Sequence, residues 1–225
     1  MFLIPESRYK CVSPPVATVA LIALNTLLWV ALWMMSYPQQ LFSSYGFIAA
    51  RPHILTFVSA MFLHPSILYL APNMIFLFAF GKQLEDVLGH LHFLTIFVLS
   101  ALAGTGLFYA LDRVATTPCT GSTGAVAGIV GAFWIMFPTQ IFDVEVHLGW
   151  WHVTTFEAKT FAAIGAWFGM QVIVLIIAYR LPTSFLLWSD IGGFAAGLMM
   201  GFLLKSNLQA RPRTHSRASE PQRDC

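Results

Sequence analysis

The chain has 225 residues, of which 57% are hydrophobic and only 10% are charged. A soluble domain carries about 25% charged residues, so this composition excludes a water-soluble globular protein and predicts one embedded in a membrane. The net charge of +2 is too small to indicate a nucleic-acid partner. We therefore expect membrane lipids as surroundings and no nucleic acid.

Apolar runs of membrane-spanning length, bounded by polar residues, Pro or Gly, predict six transmembrane helices. These predicted spans are residues 16–35, 66–80, 91–111, 122–137, 161–178 and 185–204. The first run is longer than the core of a secretory signal, and no small-residue cleavage site follows it, so we expect it to be retained. The spans divide the chain into an N-terminal segment of residues 1–15, a six-span domain of residues 16–204, and a basic, disordered tail of residues 205–225.

The lysines and arginines predict the orientation of the chain. If both termini lie on one side of the membrane, nine of the twelve Lys and Arg residues lie on that side as well. Cytoplasmic loops carry the excess of positive charge. Both termini, with the segments 1–15 and 205–225, are therefore predicted to be cytoplasmic.

Two connections between predicted spans are long. The first, residues 36–65, faces the outside and is apolar, which favours a loop embedded in the membrane or its interface. The second, residues 138–160, is cytoplasmic. Residues 142–147 within it alternate between apolar and polar side chains, which predicts a short strand.

The fourth predicted span is short, with about fifteen residues or roughly 22 Å of helix, against a hydrocarbon core about 30 Å thick. If this helix is anchored at the cytoplasmic face, its start at Gly121, Ser122, Thr123 and Gly124 lies at membrane depth. Hydroxyl groups and non-helical backbone at that depth must be buried in protein or line a wet cavity. We therefore expect a functional site at the start of this span.

Small residues recur at every fourth position on the fourth and sixth predicted spans, which allows close packing of helices in lipid. These glycines are Gly124 and Gly128 on the fourth span and Gly193, Gly197 and Gly201 on the sixth. If the two faces meet, Thr123 and Asp190 both lie within about one turn of the contact. We expect these two side chains to share one cavity.

The second span adds His64, Tyr69 and Asn73 at comparable depth. Tyr69 and Asn73 are four residues apart and share a helical face. Polar groups inside a span are functional candidates. The alternative is structural, with Asn73 bridging helices and His64 capping the start of the span.

The motifs now assembled resemble those of the rhomboid family of intramembrane serine proteases, from about residue 16 to 204. His64 to Asn73 resembles the family's His-x4-His-x3-Asn stretch, and Phe80-Gly81, Glu85 and Gly89 match its FG…E…G connection. Gly121 to Gly128 resembles its G-x-S-G-A motif, Ser189 to Phe194 its A-H-x-x-G motif, and Trp167 to Gln171 the fifth span of bacterial members. The resemblance implies a six-helix bundle of the all-α class, transmembrane segments as partners, no cofactor, and a bacterial inner membrane.

This chain departs from the family pattern at the catalytic residues. By resemblance, Thr123 stands at the nucleophilic Ser, Asp190 at the general-base His, and Tyr69 at the second His of the span-two stretch. His64 and Asn73 keep the residues that the family uses for the loop scaffold and the oxyanion hole. Pro72, directly before Asn73, is able to distort that turn.

The substitutions weaken the chemistry that the resemblance implies. An imidazole accepts a hydroxyl proton near neutral pH, whereas a carboxylate with a pKa near 4 is a poor base for this task. The stiff χ1 of Thr123 also makes its hydroxyl harder to align. Ser122 is predicted to point about 100° away around the helix, Cys119 has no visible base, and no other histidine is expected near the site. His90 and His92 lack further metal ligands, so we expect no metal site.

Three functions follow from this pattern. The first is a proteolytically inactive member of the family that binds transmembrane segments of client proteins, held at the side opening between spans two and five. The alternative is a working intramembrane endopeptidase in which Thr123 attacks, Asp190 and Tyr69 assist, and Asn73 with His64 stabilises the oxyanion. A transporter or channel is third, because the spans show no inverted repeat and no run of pore-facing charges.

Overall fold

A computed structural model of the chain describes residues 2–7, 11–36, 39–148, 151–177 and 183–210. Six helices have the positions of the six predicted spans. They are α1 (Val16–Met34), α4 (Ile67–Leu88), α5 (His90–Leu111), α6 (Thr123–Met136), α7 (Thr160–Ile177) and α8 (Thr183–Ala210), with α2 (Gln39–Tyr45) and α3 (Thr56–Ser59) in the first loop. The prediction of a helical polytopic membrane bundle is confirmed, with a small sheet added to it.

Helix lengths and composition agree with a membrane location. Within the described residues, four helices are long and apolar enough to cross a bilayer, namely Val16–Met34, Ile67–Leu88, His90–Leu111 and Leu186–Ser206. Two apolar helical stretches, Thr123–Met136 and Thr160–Gly169, are shorter. The fourteen residues of α6 give about 21 Å of helix at 1.5 Å per residue, so α6 is as short as the sequence predicts.

A small antiparallel sheet accompanies the helices. Its strands are β1 (Phe2–Ser7), β2 (Ile141–Leu148) and β3 (Trp151–Lys159), in the order β1-β2-β3. The predicted strand at residues 142–147 is therefore present, and it pairs on one side with the N-terminal segment and on the other with β3. The strand β1 within residues 1–15 was not predicted. Its pairing with a segment more than 130 residues away leaves no periodic pattern in the sequence of β1 itself.

The last helix is longer than its predicted span. α8 continues to Ala210, so residues 205–210 are helical and the boundary predicted at residue 205 falls inside a helix. Lys205 explains part of this, because its ammonium group donates a hydrogen bond to the carbonyl of Ile135 at 2.6 Å, near the C-terminal end of α6. Residues 211–225 of the predicted tail lie outside the described residues.

Two acidic residues at the end of α4 hold the start of α1. Pro15 at the N-cap of α1 supplies no side-chain cap, and the first backbone N–H groups of a helix lack partners within that helix. Glu85 supplies the missing partners. Its carboxylate accepts hydrogen bonds from the backbone N–H groups of Ala17 and Thr18, both at 2.7 Å. Asp86 accepts from the backbone N–H of Ser13 at 2.8 Å. The first span is thus fastened to the bundle by carboxylates.

The first loop folds over the start of α6. A 3-10 turn, Ala60–Phe62, follows α3 and leads to His64. The backbone N–H of Gly121 donates to the carbonyl of Ala60 at 2.9 Å. Phe47 and Cys119 exchange two backbone hydrogen bonds, at 2.9 and 2.8 Å. These contacts hold the loop against the segment that precedes α6 and so position the candidate site.

Candidate functional site

The glycines of α6 and α8 bring these two helices into backbone contact. A Cβ atom added to Gly193 would overlap the carbonyl oxygen of Gly124, and one added to Gly197 would overlap that of Gly128. A Cβ on Gly201 would lie 2.9 Å from the Cα of Ala132. The structure therefore brings together the two glycine faces that the sequence singles out, since only residues without a Cβ allow this approach.

Ser189 and α5 complete the packing around the start of α6. The carbonyl oxygen of Ser189 would lie 2.9 Å from a Cβ on Gly124, and a Cβ on Gly128 would overlap the hydroxyl of Ser100 from α5. Asp190 follows Ser189 directly and is buried, with 6% of its surface exposed. The N-terminal end of α6 is consequently enclosed by α5 and α8 on these sides.

The hydroxyl of Thr123 is buried and has no hydrogen-bond partner among the described residues. It therefore makes no hydrogen bond to Asp190, even though both residues are buried and their helices, α6 and α8, are in contact. A nucleophile and its base need hydrogen-bond contact, about 2.6–3.2 Å between heavy atoms, and often more in a protein without substrate. The two residues at the family's dyad positions do not form such a pair in this structure.

Tyr69 and Asn73 lie on one face of α4, as the four-residue spacing predicts. The side-chain amide of Asn73 donates to the carbonyl of Tyr69 at 3.0 Å. The hydroxyl of Tyr69 and the side-chain carbonyl of Asn73 are buried without a hydrogen-bond partner among the described residues. Pro72 does not interrupt α4, which runs from Ile67 to Leu88. The amide of Asn73 is thus directed at its own helix, one turn back.

The structure pairs His64 with Ser122, a contact that the sequence did not suggest. The Nε2 atom of His64 lies 3.2 Å from the Oγ atom of Ser122 and 3.4 Å from its backbone nitrogen. Both residues have 0% of their surface exposed. His64 precedes α4 and lies outside the spanning helices. Burial lowers its pKa from 6.5 to about 4, so the imidazole is neutral at pH 7.

The expectation for Ser122 was wrong because it treated this residue as helical. α6 begins at Thr123, and Ser122 is its N-cap, with non-helical φ and ψ of −90° and 14°. Gly121 before it has a φ of +121°, a conformation that favours glycine. The rotation of 100° per residue does not apply across this turn. The preference of Ser for helix N-caps was the signal in the sequence that could have revealed the non-helical position of Ser122.

Cys119 is not available as a nucleophile. Its thiol is buried, and burial, with a smaller contribution from the charge of Asp112, raises its pKa to about 12. A thiol with such a pKa stays protonated and unreactive at neutral pH. Within the described part of the chain, no three His, Cys, Asp or Glu side chains come close enough to hold a metal ion.

Comparison with known proteins identifies the fold to which this site belongs. A family model described as "Rhomboid domain" matches residues 51–207. The chain is 30% identical to RHOMBOID-like protein 5 of Arabidopsis thaliana over 151 residues, which is 65% of this chain and 43% of that protein. It is 28% identical to "Rhomboid protein 1, mitochondrial" of Saccharomyces cerevisiae over 142 residues, 60% of this chain and 40% of the relative.

A third relative, "RHOMBOID-like protein 6, mitochondrial" of Arabidopsis thaliana, is 28% identical over 151 residues, covering 65% of this chain and 42% of its own length. The aligned part of this chain spans less than half the length of each of these relatives. All three are eukaryotic proteins, and two of them carry a mitochondrial name. The match of the family model includes every candidate residue from His64 to Gly201.

Proposed function

Because this chain belongs to the rhomboid family, we propose that it binds the transmembrane segments of client proteins and does not cleave them by way of Thr123 and Asp190. The observation that carries this proposal is the buried hydroxyl of Thr123, which has no hydrogen-bond partner among the described residues. A hydroxyl whose proton no base accepts is a weak nucleophile. The close packing of α5 and α8 around the start of α6, by contrast, is retained.

The chemistry of Asp190 supports the same conclusion. Its carboxyl group is buried near the contact of α6 with α8. A carboxylate has low basicity and is a poor acceptor for a hydroxyl proton. The residue at the position of the family's base therefore disfavours a Thr123–Asp190 dyad.

The client segment is proposed to lie at the side opening between α4 and α7. α4 exposes Ile67 and Leu68 at its N-terminal end, and α7 exposes Phe161 and Phe168. In lipid, helices associate through van der Waals packing and hydrogen bonds, since lipid tails are as apolar as the side chains. Buried polar groups such as the hydroxyl of Tyr69 would bind a polar or unwound part of the client. Lipids cover the remaining apolar surface.

Site-specific photocrosslinking tests the binding. A photoreactive amino acid is placed at Leu68 in the purified full-length protein, which is then reconstituted with a single-span test segment. The matched control carries it at Met199 of α8, which is 62% exposed against 53% for Leu68 but lies on another helix. We expect crosslinks at Leu68 and few at Met199. Equal yields at both positions, or none, would overturn the proposal.

A cleavage assay on the same test segment distinguishes the client-binding function from the endopeptidase function. We expect no cleavage that depends on Thr123, so any product formed by the parent protein persists in Thr123→Ala. Cleavage that disappears in this variant would restore the endopeptidase that uses Thr123 and Asp190. The double variant Thr123→Ser with Asp190→His should gain cleavage, because His64 and Asn73 keep the family's residues. Failure of a folded double variant would point to Pro72.

The topology and the membrane of residence are further proposals. The chain is a multi-pass integral membrane protein, and the excess of Lys and Arg supports cytoplasmic termini. A membrane-impermeant maleimide should label Cys225 in inside-out vesicles and not in right-side-out vesicles; the reverse would contradict this orientation. Residence in a bacterial inner membrane stays a prediction, since the three relatives above are eukaryotic.

A further inference from the structure

A groove lies between the C-terminal end of α6 and the last turns of α8, at the opposite end of α6 from Thr123. Its volume is about 460 Å³, and it is lined by Trp134, Ile135, Pro138, Phe202, Lys205 and Ser206. Sites for small molecules measure about 300–1,000 Å³, so the groove is large enough to hold a ligand. None of its lining residues belongs to α4 or α7, and it is therefore separate from the opening proposed for the client.

The spacing of the chain places three lining residues on one face of α8. Phe202 precedes Lys205 by three residues and Ser206 by four, and residues at these spacings are neighbours on a helix surface. The hydroxyl of Ser206 donates to the carbonyl of Leu203 at 2.8 Å, so its proton is used within α8. This wall of the groove therefore presents an aromatic ring and, one turn later, an ammonium group.

Lys205 gives the groove a positive charge. Its ammonium group donates one hydrogen bond, to the carbonyl of Ile135 at 2.6 Å, and an ammonium group has three N–H donors. Within the described part of the chain, this is the only hydrogen bond or ion pair of Lys205. None of the six lining residues carries a carboxylate. The groove is thus suited to an anionic ligand.

The negative end of α6 does not cancel this charge. A helix C-terminus carries a partial charge of about −0.5 elementary charge, which is smaller than the full charge of one lysine. Several carbonyl groups there are also paired. That of Phe133 accepts from the backbone N–H of Phe137 at 2.8 Å, and that of Phe137 accepts from the hydroxyl of Thr160 at 2.7 Å. The local charge at Lys205 is therefore positive.

The exposed side chains place the groove where α6 meets the membrane surface. Trp134 is 41% exposed and Phe202 is 66% exposed, and the ring of Trp134 packs on that of Phe194 from α8, with centroids 6.0 Å apart. Tryptophan is enriched at the level of the lipid headgroups, and a lysine near a helix end reaches the same level. This end of the bundle is the one predicted to be cytoplasmic, where the leaflet contains anionic lipids.

We propose that this groove binds an anionic phospholipid, with the headgroup phosphate on the ammonium group of Lys205 and the upper acyl chain against Trp134 and Phe202. Basic pockets between membrane helices bind anionic headgroups in this way. The occupant is a lipid and not a free anion, because four of the six lining residues are apolar. The inference is independent of client binding, since it concerns α6 and α8 alone.

Native mass spectrometry on the full-length protein tests the proposal. The protein is placed in nanodiscs that contain equal parts of phosphatidylglycerol and phosphatidylcholine with the same acyl chains, and the lipids retained after release are counted. We expect phosphatidylglycerol to be retained about fivefold over phosphatidylcholine, the effect of one cation near an anionic headgroup. Equal retention of the two lipids would overturn the proposal.

Variants of lysine separate this site from general surface charge. Lys205→Gln should lose the preference for phosphatidylglycerol, whereas Lys205→Arg should keep it. The matched control is Lys82→Gln, because Lys82 is also half-buried but lies on α4, over the ring of Phe78. This control should retain the preference. An unchanged preference in Lys205→Gln, or an equal loss in Lys82→Gln, would contradict a site at Lys205.

A pair of Ser206 variants keeps the test decisive if Lys205→Gln fails to fold, since both leave Lys205 in place to bind the carbonyl of Ile135. Ser206→Glu adds a carboxylate to the groove and should abolish the preference, whereas Ser206→Gln, of similar size, should retain it. Equal retention in the two would overturn the proposal. Excess inorganic phosphate, at matched ionic strength, should not displace the bound lipid. Displacement would instead mean that the groove is a site for a free anion.

Discussion

Glu85 on α4 receives both the backbone N–H and the hydroxyl of Thr18 on α1, at 2.7 and 2.6 Å, through one carboxylate oxygen. The other oxygen receives the N–H of Ala17 at 2.7 Å and contacts Nδ1 of His90. Glu85 is 1% exposed. One buried side chain therefore joins the first span to the turn between the second and third, and its removal leaves several buried donors without an acceptor.

We predict that Glu85→Gln lowers the free energy of unfolding by about 2–3 kcal/mol, since hydrogen bonds to charged groups are worth about 1.5–3 kcal/mol each and only part of the set is lost. The measurement is equilibrium unfolding in mixed detergent micelles. Asp86→Asn is the matched control, because Asp86 binds exposed or partly buried donors at residues 12 and 13 and should cost less. An unfolding free energy unchanged in Glu85→Gln would show that this carboxylate does not hold α1.

Gly197 is predicted to tolerate no side chain. A Cβ there would overlap the carbonyl oxygen of Gly128, which is backbone and unable to move aside. Gly197→Ala should therefore force α6 and α8 apart, at a cost of about 1–3 kcal/mol as in other overpacked interiors. Gly106→Ala on α5 is the control, because no atom of the described ranges lies within 4 Å of a Cβ at that position. Equal unfolding free energies in the two variants would contradict the close contact.

Thr123 and Ser122 are predicted to respond in opposite ways to loss of their hydroxyl groups. Thr123→Val removes a buried hydroxyl that has no hydrogen-bond partner in the described part of the chain, so stability should be unchanged or higher, by up to about 1 kcal/mol. Ser122→Ala removes the hydrogen bond to His64 and should cost about 1 kcal/mol. Unfolding measurements on both variants test this. A strongly destabilised Thr123→Val would reveal a partner for its hydroxyl.

His64 predicts a loss of stability in acid. Its pKa in the folded protein is about 4 and lies below the ordinary value of 6.5, so the unfolded chain binds a proton first as the pH falls. The free energy of unfolding should decrease from about pH 6.5 to about pH 4, by about 3 kcal/mol in total at about 1.4 kcal/mol per pH unit. Below about pH 4 the imidazole is protonated in the folded protein as well as in the unfolded chain, and the stability that the neutral His64 contributed at higher pH is absent.

The control for this pH dependence is His64→Gln, which does not titrate. Unfolding of the parent and the variant is compared at each pH, so that the carboxyl groups, which titrate in both, cancel. The difference between the two should change with pH only in the window between about 6.5 and 4. A difference that stays constant over this window would mean that His64 is protonated as easily in the folded protein as in the unfolded chain.

The sequence by itself was enough to locate most of the spans along the chain and to indicate one contact between them. Because the length of an apolar run is set by the thickness of the bilayer, α1, α5 and α6 begin and end within about one residue of the predicted bounds, whereas α4 continues to Leu88, well past its predicted end at residue 80. Glycine at every fourth position likewise indicates a helix contact, and Gly124 does lie against Gly193. Both signals are local, since they depend on residue type and spacing along one helix, and a single sequence contains them in full.

The tertiary structure alone decided which polar groups meet at the start of α6. Thr123 and Asp190 were expected to share a cavity. Among the residues that the structure describes, the hydroxyl of Thr123 makes no hydrogen bond, while Ser122 bonds His64 from a loop 58 residues away. The direction of each side chain depends on where the helix begins, on the positive φ of Gly121, and on how the first loop packs. A shift of one residue in a helix start turns a side chain by about 100°, which is enough to exchange one hydroxyl for its neighbour.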